Sequence, residues 1–152
     1  MYNKILVPLD ESEIAETALQ HAAAIAEAFK SELVLLSVIE PVTILPEPGV
    51  VGPVLTVSVD VETEMKHAKS YLSKHASKLR EQGIKVRTEV VEGIPAGQIC
   101  QYVQEKNIEL IVMTTHGRSG LSRLVYGSVA ENILRNAKIP VLLIRIHRGS
   151  QS

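Results

Sequence analysis

Ile111–Val129 reads IVMTTHGRSGLSRLVYGSV. A strand-like apolar run stops at Thr114-Thr115-His116-Gly117, a nine-residue basic connection follows, and Gly127-Ser128 opens a helical pattern. A buried strand that passes through a turn into a helix delivers the chain to a sheet edge. Glycine there lets the backbone approach a ligand, and N–H groups at a helix start face an anion. The segment has the layout of a phosphate site, which makes nucleotide binding the first function to weigh.

Outward from this segment, the same alternation runs through the chain. Ile5-Leu6-Val7-Pro8-Leu9 is a continuous apolar run, as expected of a strand buried on both faces. From Ser12 the period becomes helical, with Ala15, Ala18, Leu19, Ala22, Ile25, Ala26 and Phe29 on one stripe. Leu33–Ile39 is a second strand. Val61, Met65, Ala68, Leu72, Ala76 and Leu79 form a second helical stripe, which Gly83 is placed to end. Val86, Thr88 and Val90 alternate with Arg87 and Glu89, the pattern of a half-exposed edge strand. Gly93–Lys106 predicts a third helix with Pro95 near its first turn, and Leu110–Met113 a buried strand. Ser128–Ala137 predicts a fourth helix with Val129, Ile133, Leu134 and Ala137 inward, and Pro140–Ile144 the last strand.

Five strands alternating with four helices predict an α/β fold: a three-layer, open, Rossmann-like parallel sheet, with right-handed crossovers and helices on both faces. Residues 1–147 read as one domain and 148–152 as a polar C-terminal tail. In such sheets ligands sit beyond the carboxyl ends of the strands, where the strand order reverses. That rule selects Pro8–Ser12, Val38–Pro41 and Thr114–Ser128. The Pro41–Val59 loop, with prolines at 41, 46, 48 and 53, leaves the same edge and is placed to cover the site.

Composition narrows the function classes. A net charge of −1 and the lack of a basic tail argue against a nucleic-acid partner. Pro41–Val59 is the least charged stretch, but its prolines and glycines make it a loop rather than a membrane helix, so no membrane partner is expected. Cys100 is the only cysteine, which excludes an intrachain disulfide and suits a reducing cytoplasm. The opening MYNKILVPLDESE lacks the features of a signal peptide, and a cytoplasmic location is the expectation. The sequence has no GxxxxGK[ST], no GxGxxG after the first strand and no GxSxG. His21, His67 and His75 lie on predicted helices without the spacing of a zinc site.

Each candidate site residue carries two readings. Ser128 either binds a phosphate with the following N–H groups or, as the first residue of Ser-x-x-Glu with Glu131, caps its helix. Gly117 either leaves room for a phosphate or simply makes a turn. Arg118 and Arg123 either pair with phosphates or face water. His116 stands at the proposed edge, where turn structure explains it as well as chemistry does. Asp10 lies among carboxylates at 10, 11, 13 and 16, which suit a helix start and would repel phosphate. A carboxylate there suits a ribose hydroxyl or a Mg²⁺ or Mn²⁺ ion, or else belongs to a helix cap. Val38 either lines an adenine pocket or is ordinary core.

Taken together, KILVPLDESE and THGRSGLSRLVYGSVAENILRNAKIPVLLIR resemble the universal stress protein family, and the likeness runs from Tyr2 to Arg145. The resemblance implies strand order 3-2-1-4-5 and a homodimer paired through the last strand, Val141–Ile144. It also implies the nucleotide-binding branch, with its pattern Gly-x2-Gly-x9-Gly-Ser/Thr. Gly117, Gly127 and Ser128 match that pattern, and Thr114 stands where the first glycine belongs. By this resemblance Pro8 and Leu9 flank the adenosine, Asp10 holds ribose or metal, and Val38 meets adenine. Gly117, Gly127, Ser128 and Val129 take the phosphates, with Thr114, His116 and Arg118 beside them.

The expectation is an adenine-nucleotide-binding stress-response module, with ATP and a Mg²⁺ or Mn²⁺ ion as ligands. A slow ATPase is one alternative, although no residue is clearly placed to stabilise transferring charge. A nucleotide-independent interaction module, pairing through the last strand, is the other.

Overall fold

Both flanks of β1 (Lys4–Pro8) are taken by parallel neighbours, β2 (Glu32–Ile39) on one side and β4 (Leu110–Thr114) on the other. β3 (Lys85–Glu92) adds outside β2 and β5 (Val141–Ile144) outside β4, so the five-stranded sheet has the order β3-β2-β1-β4-β5. The computed structural model describes residues 1–41, 48–49, 51, 60–116 and 127–146. The loop expected to cover the site therefore lies mostly outside the described residues, as do Gly117, Arg118, Arg123 and the 148–152 tail.

Side chains of the inner strands divide between two cores, because successive residues of a strand point to opposite faces. Ile5, Val7, Leu33, Leu35, Leu110 and Val112 pack beneath α1 (Glu13–Phe29) and α2 (Val61–Glu81). Leu6, Val34, Leu36, Ile111 and Met113 pack beneath α3 (Pro95–Glu105) and α4 (Ser128–Asn136). Helices cover both faces, so every residue of an inner strand can be apolar, and the continuous runs in the sequence follow. Among the described residues β3 has one neighbour strand, and it alternates over Lys85–Thr88, whereas Glu89, Val90 and Val91 are all half-buried.

Local chemistry sets the helix limits. Ser12 Oγ accepts the Ala15 N–H and starts α1, with Glu13 and Glu16 in the first turn, where carboxylates favour the helix dipole. Asp60 caps α2 through the Thr63 N–H. Gly83, at φ +85°, takes the left-handed turn that follows α2 and returns the chain to β3. Pro95 occupies the first turn of α3, where its missing N–H costs nothing. That helix begins at Pro95 and ends at Glu105, a little inside the expected span, because Gly93 turns at a positive φ of +143° and Ile94, still extended, is the N-cap.

Two residues expected on inward stripes are exposed. Phe29 is 46% exposed, and its ring meets Tyr2 edge-on at 5.5 Å. At about 1.5 Å per residue, α1 outruns the short strand it covers, so its last turn overhangs the sheet. Leu134 is 42% exposed, whereas Ala130 and Ile133 face the core. Residue 134 lies about 100° around the helix from Ile133, which carries it past the narrow strip of α4 that meets the sheet.

Ile111→Ala, in the doubly covered strand, is expected to destabilise the protein by about 2–5 kcal/mol, whereas Leu134→Ala should stay within about 0.5 kcal/mol. Urea unfolding of the two variants beside wild type measures both, and equal losses would contradict the assigned cores.

Candidate functional site

The sheet opens between β1 and β4. These strands are in register only at Ile5 with Leu110 and Leu6 with Ile111. β1 nevertheless stays on β2 through Pro8, and β4 stays on β5 through Thr114. Backbone groups of successive strand residues point to alternate neighbours. The Leu9 N–H bonds the Leu36 carbonyl at 2.8 Å, toward β2, so the backbone nitrogen of Pro8 is turned toward β4. Proline has no hydrogen to donate there. The β1–β4 ladder ends for that reason, and a crevice begins at the point where the strand order reverses.

On the β1 side of the crevice is the Asp10 turn. Asp10 Oδ1 accepts the Ser12 N–H at 3.1 Å and the Ser12 hydroxyl, while Ser12 caps α1. The cap reading of Asp10 is thus realised, and the same bonds fix its carboxyl at the strand end. Glu11 takes the left-handed conformation at φ 66°. Its carboxylate lies 3.1 Å from His67 Nδ1, and Glu16 receives the Tyr71 hydroxyl at 2.9 Å and meets His75 Nε2 at 3.3 Å. One stripe of α2 therefore answers two of the four clustered carboxylates. Among the described residues no three His, Cys, Asp or Glu side chains group to hold a metal ion.

Across the crevice, α4 starts without a side-chain cap from its N-cap residue, Gly127. Gly127 is the residue at the N-cap and Ser128 is already helical, so the Ser-x-x-Glu capping box does not form. Glu131 turns instead to Arg135, 2.7 Å away on the same helix. The N–H groups of Ser128, Val129 and Ala130 precede the first intrahelical bond, which runs from Glu131 N–H to Gly127 O at 2.9 Å. Orphan donors at a helix start, together with the helix dipole, favour an anion.

The turn leaving β4 anchors this helix start. The Thr115 carbonyl accepts the Gly127 N–H at 2.7 Å, and the Thr115 N–H donates to the Ile144 carbonyl at 3.1 Å. Thr114 and Thr115 are buried, and the Thr114 hydroxyl donates to the His116 carbonyl at 2.6 Å. Thr115 Oγ1 lies 3.0 Å from His116 Nδ1.

The α3 and α4 face of the sheet carries an apolar shelf. Val38 and Val129 are half-buried against the same core, on the α3 and α4 face. Val91 joins them and is the residue of β3 in register with Val38. The sequence reading missed Val91, because Val86, Thr88 and Val90 drew attention to the other face; the apolar pair Val90-Val91 was the available signal. Leu9 departs from this group. Its side chain is buried under α1 and α2, so only its backbone remains at the strand end. Cys100 lies away from these turns and packs against the α3 and α4 core; burial pushes its thiol pKa up, as for a structural cysteine.

The profile of the Universal stress protein family matches residues 1–145. The chain belongs to the universal stress protein family. It is 35% identical to Universal stress protein MJ0531 of Methanocaldococcus jannaschii over 95% of this chain and 83% of that one. It is 34% identical to Universal stress protein MJ0577 of the same organism, over 95% of this chain and 96% of the relative. The solved structure of MJ0577 superposes with a TM-score of 0.81 at 31% identity, covering 98% of this chain and 99% of that one. A universal stress protein solved in complex with cAMP shares the fold at 20% identity, with a TM-score of 0.69 over 95% and 97% of the chains. One from Archaeoglobus fulgidus in complex with dAMP shares it at 23% identity, with a TM-score of 0.67 over 94% and 98%. The expected family, fold class and strand order all stand. No helix among the described residues is long and apolar enough to cross a membrane.

Tyr71 gives the acidic turn a pH signature. Burial, then the hydrogen bond to Glu16, raises its pKa well above the ordinary tyrosine value. The native protein keeps this proton at a pH where the unfolded chain, with a tyrosine pKa of about 10, has released it. The contribution is complete below that pH and is lost as pH rises beyond it. Urea midpoints between about pH 8 and 11 should therefore fall more steeply for wild type than for Tyr71→Phe; parallel curves would contradict the assignment.

Proposed function

We propose that this universal stress protein binds an adenine nucleotide, ATP foremost, across the β1–β4 crevice and serves as a dimeric stress-response regulator. The observation that carries the reading is the start of α4, fixed to the end of β4 through Thr115 and opened by Gly127, which has no side chain to cap it. In this reading Gly127, Ser128 and Val129 take the phosphates, with Gly117, His116 and Arg118 from the preceding turn and Thr114 behind them. Val38 meets the adenine ring, with Pro8 and the Leu9 backbone flanking the adenosine. Asp10 takes a ribose hydroxyl or a phosphate-borne Mg²⁺ or Mn²⁺ ion. Universal stress proteins of the same fold that hold cAMP and dAMP support the choice of an adenine nucleotide.

Calorimetric titration with ATP and Mg²⁺ tests the reading. Wild type should bind, and Gly127→Asp, which sets a carboxylate at the helix start, should weaken binding by at least about tenfold. No heat of binding from wild type at millimolar ATP would sink it. Single-turnover phosphate release on the same samples separates binding from slow hydrolysis, and the reading expects rates equal to protein-free buffer.

The dimer is proposed through β5, whose outer edge has no neighbour strand among the described residues and whose Leu142 is 37% exposed. Sedimentation should give a dimer at micromolar concentration and a monomer for Leu142→Glu. A monomeric wild type would remove this part alone.

A further inference from the structure

Thr114 stands where the family's nucleotide-binding pattern has a glycine, and a threonine at a phosphate approach invites the view that it obstructs. Its placement argues otherwise. The residue is only 5% exposed and is in register with Ile144 at the end of β4. Its hydroxyl is engaged by the His116 carbonyl at 2.6 Å, within its own turn. A buried side chain whose hydroxyl is already bonded within its own turn is not free to reach in front of a ligand.

What the hydroxyl does is bend the chain. By holding the carbonyl two residues ahead, it fixes the path of Thr115, which lies between the two bonded groups. Thr115 in turn accepts the Gly127 N–H at 2.7 Å and donates to Ile144. The orientation of the α4 start therefore depends on the Thr115 carbonyl, and that carbonyl on the Thr114 bond. A glycine would leave the His116 carbonyl without this donor and would free the backbone of the last strand residue.

We infer that Thr114 is a positioning residue for the phosphate seat, its hydroxyl holding the turn whose Thr115 carbonyl anchors the start of α4. The inference rests on the nucleotide reading above and adds to it the sign of the Thr114 effect. Obstruction predicts that a smaller residue improves binding, and positioning predicts that it impairs binding.

The test uses Thr114→Val, which keeps the shape and removes the hydroxyl, Thr114→Gly and Thr114→Ser. Each is titrated with Mg²⁺-ATP and with adenosine at a temperature where circular dichroism reports it folded. Valine and glycine should each weaken ATP by roughly five- to tenfold, the scale of one hydrogen bond. Serine should recover most of the loss seen with valine. Adenosine, which lacks phosphates, should change much less than ATP. ATP binding by Thr114→Gly equal to or tighter than wild type would overturn the inference and leave the nucleotide reading intact. Equal losses for ATP and adenosine would also overturn it, since general damage would explain them. A wild type that binds neither ligand would remove the nucleotide reading and this inference with it.

Discussion

A missing hydrogen sets the geometry of the site. Were residue 8 able to donate toward β4, the ladder that begins at Ile5 and Leu6 would be free to continue along both strands. Proline withholds that donor on the β4 side only, because the adjoining Leu9 N–H still reaches Leu36. β1 therefore remains fully paired on one flank while it parts from β4 on the other. The wholly buried Ile5, Leu6 and Val7 hold the strand in place, so the separation is confined to its end. The Asp10 turn and the α4 start are the two sides of that separation.

The two sides have opposite electrical character. α1 begins among carboxylates, whose charge already answers its helix dipole, and His67, Tyr71 and His75 of α2 are engaged by Glu11 and Glu16. α4 begins on glycine, and its first-turn acid, Glu131, is drawn away along the helix to Arg135. A ligand with an anionic end and a neutral, hydroxyl-bearing end matches this polarity in one direction. The valines on the α3 and α4 face suit a flat apolar body. That match follows from where the acids are placed, and it does not depend on a charged side chain reaching for the ligand.

Much of the fold was legible because the two hydrophobic periods differ so sharply. Ile5–Leu9 and Leu110–Met113 carry no polar interruption, and only strands covered on both faces tolerate that. The order of the strands was not in the periods; it came with the family resemblance. Phe29 and Leu134 were misjudged since periodicity reports an angle around a helix and not how far the sheet beneath extends. At the site, Ser-x-x-Glu signalled a cap that the helix does not form, because Gly127 takes the N-cap and Ser128 is already helical. Asp10 was read both as cap and as candidate ligand, and the structure places it in the first role without moving it from the second. Thr115 acts through its main chain, on which side-chain identity leaves no mark.

Thr115 joins two pieces of the molecule that the sequence separates. Its N–H is given to the last residue of β5 and its carbonyl to the first residue of the α4 turn, so one peptide neighbourhood carries both attachments. Local opening then cannot be divided between them. When β5 frays from β4, Thr115 loses the partner that steadies it, and the Gly127 amide loses a fixed acceptor. The outer strand and the helix start belong to one cooperative unit of fluctuation, although one is an edge and the other lines a crevice. Protection of the Gly127 amide is tied, through Thr115, to the integrity of the sheet's edge.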